Sequence, residues 1–303
     1  MKRLLFILLG YMLCEVYATP LMNGHVFMTN EEYHSSADIS KSDLDAARKS
    51  GLHFKYKKEG PKQKPTPAMR IGSAFHALTL EPELFENEYI YKPDFLNARS
   101  KEGKEWKATQ EEAGKTVLNG DDRKQLEGMA QAIADCAPAK KLLDATGAAE
   151  QSFLWTDKET GLGCKCRPDY LLADGGTIVD VKTTIDASYR GFLKSISNFR
   201  YHVQAGWYLH GLEQATGTRP ERFIFIAVEK TAPFGVGVYQ ADTYMVVNGY
   251  DTAREDLAKI AKWKEEDHYT GYCSDIQQIS LPPWMTKDKQ NAVSLQVPDI
   301  ELF

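Results

Sequence analysis

Apolar and polar positions alternate at Cys164–Arg167 and Val179–Lys182, within CKCRPDYLLA from Cys164 and TIVDVKTT from Thr177, and QSFLWTD from Gln151 is a short apolar and aromatic run between polar residues. A period of two, or a short apolar run between turn signals, marks strands, and the turn residues at 159–163 and 174–176 join the three into a meander. Two more strands read from RFIFIAVEK at Arg222 and GVGVYQA at Gly235. Elsewhere the period lengthens to that of a helix. ISKSDLDAARKS predicts a short helix capped by Ser42 and running to Arg48. MRIGSAFHALTLEPELF is helical from Met69 until Pro82 stops it. Lys101–Lys115 and Asp121–Cys136 are rich in Lys, Glu, Gln and Ala, which favour helix. Further helices are expected over Ser188–Ser195, Tyr201–Ala215 and Val246–Asp267. There is no internal repeat. The order of helices, meander, helices, two strands and helix predicts an α/β (α+β) fold, a mixed central β-sheet flanked by helices.

Composition adds boundaries to this picture. With 303 residues and 43% hydrophobic content, the chain can bury a large core and is not disordered throughout. A first segment, 1–27, begins MKRLLFILLGYMLCEVYATP. Its basic start, apolar run and small residues at Val16 and Ala18 read as an export signal, or as sequence upstream of a working start at Met28. Residues 28–285 form a single domain. The tail 286–303 follows LPPW without periodicity and is expected to be flexible.

The net charge of −5 argues against a generally basic surface and says little about local patches. One such patch is plain: between Arg48 and Arg70 lie Lys49, Lys55, Lys57, Lys58, Lys62 and Lys64, with Glu59 the one acid. That is a footprint suited to phosphate, or a solvated loop. The five cysteines lack paired C-x-x-C spacing, so no disulfide framework or zinc ribbon is indicated. Cys164 and Cys166 read as alternating strand residues.

The chemistry gathers at the glycine turn. Asp180 and Lys182 share a strand face. If Asp174 and Gly175 form a two-residue loop, Asp169 sits opposite Asp180. Facing carboxylates repel, and a divalent cation with a taste for hard oxygen ligands, Mg²⁺ or Mn²⁺, would relieve them. If the loop is Gly175 and Gly176, Asp169 faces Lys182 and the pair is a simple ion pair. Both registers are open on spacing alone.

The motif PDY…VDVKTT resembles the PD-(D/E)xK nuclease signature, with Asp169 and Asp180 as its acids and Lys182 as its lysine. GSAFHALTLEP is similar to the G-x-x-x-H element of the RecB-like branch, matched by Gly72 and His76. QAGWY resembles the downstream Q-x-x-x-Y element, matched by Gln204 and Tyr208. AEQSFLWTDKETGLGCKCRPD resembles the corresponding run of RecE-like nucleases, and the likeness covers Ile39 to Trp284 in order.

The resemblance implies a restriction-endonuclease-like core and a Mg²⁺-dependent exonuclease that degrades linear double-stranded DNA 5′→3′, with Mn²⁺ as a substitute. Asp169, Asp180 and Lys182 would be catalytic. His76, Asp169, Asp180 and the Val181 carbonyl would hold the metal, with Glu150 a further oxygen ligand. Arg70, Lys55, Lys57, Lys58, Gln204 and Tyr208 would contact DNA. It also implies a toroidal tetramer, a RecT-like single-strand annealing partner in phage-type recombination, and cytoplasmic action, which favours the upstream-start reading of residues 1–27 over export. Two other functions fit the same residues: an endonuclease, and a non-catalytic DNA-binding recombination scaffold. The final DIELF, Asp299–Phe303, is similar to a sliding-clamp-binding peptide, with Asp299 where glutamine is usual.

Overall fold

A computed structural model describes residues 24–61 and 65–282. Nearly all of the expected leader, Lys62 and Lys64 of the basic run, and the tail with its DIELF end lie outside those residues. Helices, in chain order, are α1 (Asn30–Ser35), α2 (Lys41–Lys49), α3 (Gly51–Glu59), α4 (Pro67–Leu80), α5 (Pro82–Glu88), α6 (Lys101–Glu112), α7 (Gly120–Asp135), α8 (Ala137–Leu143), α9 (Tyr189–Phe199), α10 (Tyr201–Thr216) and α11 (Thr243–Glu265). Strands are β1 (His25–Val26), β2 (Tyr89–Tyr91), β3 (Thr116–Leu118), β4 (Gly147–Ala149), β5 (Ser152–Thr156), β6 (Gly163–Cys166), β7 (Tyr170–Leu172), β8 (Thr177–Thr184), β9 (Arg222–Glu229) and β10 (Val236–Gln240).

The central sheet has the order β10-β9-β8-β7-β4. It is mixed: β8 and β9 run parallel along their full length, and the other pairs are antiparallel. β8 sits in the middle and is apolar or buried nearly throughout, as a strand covered on both faces must be. Val179 and Val181 point into a cluster with Ile71, Phe75 and Met129 from α4 and α7. Ile178 points into the opposite cluster with Phe192, Trp207 and Leu257 from α9, α10 and α11. The expected mixed sheet flanked by helices is the fold observed. No helix among the described residues is long and apolar enough to cross a membrane.

Three local expectations change. The meander is two hairpins in two sheets: β5 and β6 pair beside β1, while β7 and β8 belong to the central sheet. The break falls at Arg167-Pro168-Asp169, because Pro168 has no N–H for a ladder. The first cap is Ser40, not Ser42: the Asp43 carboxylate accepts from the Ser40 N–H and Oγ at 2.9 and 2.7 Å, which fixes the start of α2. And Pro82, which ends α4, also opens α5, since proline suits a first helical turn.

The widest helix contact, α10 on α11, depends on two glycines. A Cβ on Gly206 would lie 2.7 Å from the Gly249 carbonyl carbon and 2.8 Å from the Val246 carbonyl oxygen, closer than side chains ever sit. Neither neighbour is a side chain that could swing away. Gly206→Ala is therefore expected to destabilise by about 2 kcal/mol or more, read as a drop in the urea midpoint with an unchanged slope.

Candidate active site

β7 and β8 pair with Tyr170 opposite Val179 and Leu171 opposite Ile178. Continuing one step brings Asp169 level with Asp180, the first of the two registers open from sequence. It is reached through a four-residue turn, 173–176, in which Gly175 takes φ 69°, a conformation natural to glycine. The backbone has already left the ladder at Asp169, and its carboxylate replaces the missing strand: Asp169 Oδ2 accepts from the Val181 N–H at 2.8 Å.

Two further side chains close around this point. His76 comes from α4, on the face that also carries Gly72 one turn earlier. Its Nε2 is 2.6 Å from the Val181 carbonyl oxygen, and its Nδ1 lies 3.6 Å from Asp169 Oδ2 and 3.9 Å from Glu150 Oε1. Glu150 precedes β5 with φ 50°, a left-handed conformation unusual outside glycine, and its N–H bonds to the Asp169 carbonyl at 3.1 Å. Such strain concentrates where function demands an orientation, and here it aims the Glu150 carboxylate at His76. One ligand atom each from His76, Glu150 and Asp169 fall within 4.8 Å of one another.

Asp180 is completely buried beside this trio. Gln204 Nε2 donates to its Oδ1 at 2.5 Å. Lys182 Nζ lies 2.5 Å from its Oδ2 as an ion pair, but without hydrogen-bond geometry, so that oxygen keeps an unmatched lone pair. The electrostatics follow from crowding. Burial, and then the Asp169 charge, push the Asp180 carboxyl up to about 7. Burial pulls His76 down, but Asp169 and Glu150 outweigh it and raise the imidazole to about 9. Lys182 is likewise held protonated, its burial more than offset by Asp180 and Asp169. The site thus holds more acid than its own cations settle, and its donors are hard oxygens with one imidazole. That set fits a divalent cation of the magnesium or manganese kind.

The structure gathers Asp169, Asp180, Lys182, His76, Val181 and Glu150 in one place. The remaining residues singled out from sequence are deployed differently. Gln204 is buried and reaches Asp180 in place of an outer surface, because its face of α10 is turned onto the sheet. Tyr208, one turn on, packs edge-to-face on Phe223 at 6.2 Å for the same reason. Arg70 donates to the Val117 carbonyl and to Asp122, and Lys55 lies over the Tyr269 ring at 4.6 Å. Gly72 is not needed for close packing: the nearest atom to a Cβ there would be Thr183 Oγ1, 3.8 Å away.

Lys57 and Lys58 face the buried Asp43 at 3.4 and 3.6 Å. Burial raises the Asp43 carboxyl, yet the two lysines and the Ser40 bonds outweigh it and hold it below the usual range. A carboxylate depressed in the folded state stabilises above its unfolded pKa of about 4, and that stability is lost as pH falls through the folded value. The stability difference between wild type and Asp43→Asn should therefore be constant near neutral pH and shrink below about pH 4, as urea midpoints across pH would show.

Sequence reading missed Tyr201 and Arg167. Tyr201 sits three residues before Gln204 on the same helix face, a spacing that could have found it, and its ring centroid is 5.3 Å from Lys182 Nζ. Arg167, beside Pro168, bonds Ser152, Asn30 and the carbonyls of Met28 and Thr29, tying the start of the described chain to the active-site turn.

Comparison with known proteins bears on the family and the fold. The family model described as "PDDEXK-like domain of unknown function (DUF3799)" matches residues 40–282. No curated protein sequence matches the chain. Among solved structures, a "putative exonuclease" from Eubacterium rectale is similar at 15% identity and TM-score 0.57, covering 85% of this chain and 97% of that one. An alkaline exonuclease from Laribacter hongkongensis is similar at 11% identity and TM-score 0.26, covering 64% and 97%. The first shares the fold, and at that identity the likeness is one of fold alone. With the motif acids converging on one turn and the family model spanning most of its length, the chain belongs to the PDDEXK-like domain family.

Proposed function

We propose that the protein is a metal-dependent deoxyribonuclease, an exonuclease that hydrolyses linear double-stranded DNA 5′→3′ with Mg²⁺. The observation that carries this reading is the convergence of His76, Glu150 and Asp169 beside the buried Asp180–Lys182 pair. His76 Nδ1 and the carboxylates of Glu150, Asp169 and Asp180 would hold the ion, while the Val181 carbonyl, bonded to Nε2 on the far side of the imidazole, orients His76 instead of serving as the metal oxygen expected from sequence. Bound there, Mg²⁺ would polarise the phosphodiester and lower the pKa of an attacking water.

The chain's own groups have separate tasks. Nε2 of His76 is tethered to Val181, which leaves Nδ1 turned to the metal-binding side. Gln204 fixes the plane of the Asp180 carboxylate. Lys182, held cationic, offers a donor to the charge that develops on phosphorus oxygens in the transition state. A RecT-like annealing partner, a toroidal tetramer, and cytoplasmic work in phage-type recombination extend the same reading.

An endonuclease would use identical chemistry, so the substrate's topology decides. With Mg²⁺ present, label at the 5′ end of a linear duplex should be released first as mononucleotide while a covalently closed circle survives. Rapid cutting of the circle would replace the exonuclease reading with the endonuclease one.

A further inference from the structure

A short ladder of rings leads from Lys182 to solvent. Tyr201 lies beside the lysine, and behind it the buried Phe192 and Phe225 stand at 5.9 and 6.0 Å. Phe199, the last residue of α9, stacks on Tyr201 at 5.6 Å with an interplanar angle of 25°. Its other side faces water: Phe199 is 59% exposed.

This ring forgoes the free energy of burial, and its position is fixed by neighbouring elements. The next residue, Arg200, adopts φ 54° and ψ 46°, a left-handed turn costly for a non-glycine. Its buried guanidinium is fixed by the Leu44 carbonyl, Asp45 and Asp256. Lys41 Nζ donates to the Phe199 carbonyl itself at 2.7 Å. These anchors come from α2 and α11, so the placement is held by other elements of the fold and is not that of a loose helix end. The surrounding charge suits a polyanion: α9 carries Arg190 and Lys194, both exposed, and no acidic residue.

Resting on the nuclease reading above, we propose that the exposed face of Phe199 is a base-stacking subsite for an unpaired nucleobase of the strand whose phosphate lies at Lys182. A base inside a duplex has both faces covered by its neighbours, so only a frayed or single-stranded end can offer one. Stacking of this kind needs no particular base and is worth roughly 5- to 150-fold in affinity. The subsite would thus select open DNA ends irrespective of sequence.

The test is a double-mutant cycle across the interface. Binding of a linear duplex with a short single-stranded end is followed by fluorescence anisotropy in EDTA, where the nuclease reading allows no cleavage. Each of the first three nucleotides of either strand is made abasic in turn. Phe199→Ala should weaken binding of intact DNA about tenfold, Phe199→Trp should restore it, and at one abasic position wild type and Phe199→Ala should bind alike. Phe199→Ala should also melt close to wild type, since its ring is mostly exposed.

Wild-type affinity in Phe199→Ala, or a loss that is the same at every abasic position, would overturn the subsite while leaving the nuclease reading intact. A change of oligomeric state in Phe199→Ala by light scattering would assign the ring to contact with a second copy instead. Failure of the wild type to bind any DNA would overturn the subsite, and the nuclease reading falls with it only if the same duplex also resists hydrolysis in Mg²⁺.

Discussion

Lys182→Ala should lower DNA hydrolysis about a thousandfold while DNA binding changes only a few-fold. The lysine stands at the end of an acid row with its charge secured by Asp180 and Asp169. A donor so placed acts on charge that appears only in the transition state, and removing one such donor costs two to three orders of magnitude in rate. The substitution also strips Asp180 of its ion-pair partner. A buried carboxylate left alone destabilises a fold, but this one already titrates at about 7 and can neutralise itself by taking a proton. Thermal melting separates the two effects. The double variant Asp180→Asn/Lys182→Met removes both charges, and it should melt no lower than Lys182→Ala while remaining inactive. Single-turnover rates near wild type in a folded Lys182→Ala protein would remove Lys182 from the chemistry.

Asp169→Asn should abolish cleavage to a similar degree for a different reason. The amide oxygen of asparagine can still accept the Val181 N–H, so the strand contact at 2.8 Å survives and the fold with it. What disappears is the charge. Without it the metal site proposed at His76, Glu150 and Asp169 loses a hard anionic ligand, and activity should fall at least about a thousandfold at any Mg²⁺ concentration. The imidazole supplies an independent reading. After burial, Asp169 is the largest influence on His76 and holds it up, so in metal-free protein the substitution should move the His76 titration down from about 9, followed by its ring proton shifts in NMR. An unmoved titration would mean that the two groups do not face each other.

Much of this was legible in the sequence because the signals were local. Alternation located β8, short apolar runs between turn residues located β5 and β9, helix-favouring composition located α7, and helical pattern located α4, α10 and α11, in each case within a few residues. Asp180 and Lys182 share a face by geometry alone. What spacing could not decide was the register of the turn at 173–176, since moving its two-residue loop by one position shifts the partner of Asp169 by two, from Asp180 to Lys182. Nor could it show that Pro168 divides one apparent strand between two sheets. The short elements β1, β2, β3 and β4 have two or three residues each, too few to carry a period, and they form through contacts distant in sequence. The basic run behaved least as its composition suggested. Lys57 and Lys58 serve a buried carboxylate that lies far enough upstream to be invisible in the run itself. Gln204 was found by motif, but its partner Asp180 could be identified only once α10 was seen to lie across the sheet.

The proposal is that His76, Glu150, Asp169 and Asp180 hold a divalent cation at which DNA is hydrolysed, with Lys182 as the donor to the charge that develops. It is tested most directly by following nucleotide release from an end-labelled linear duplex while Mg²⁺ is titrated from an EDTA baseline. The account predicts no release in EDTA, saturable release by the wild type as Mg²⁺ rises, and none from Asp169→Asn across the same range. Release that persists in EDTA, or that Asp169→Asn matches at every Mg²⁺ concentration, would contradict it.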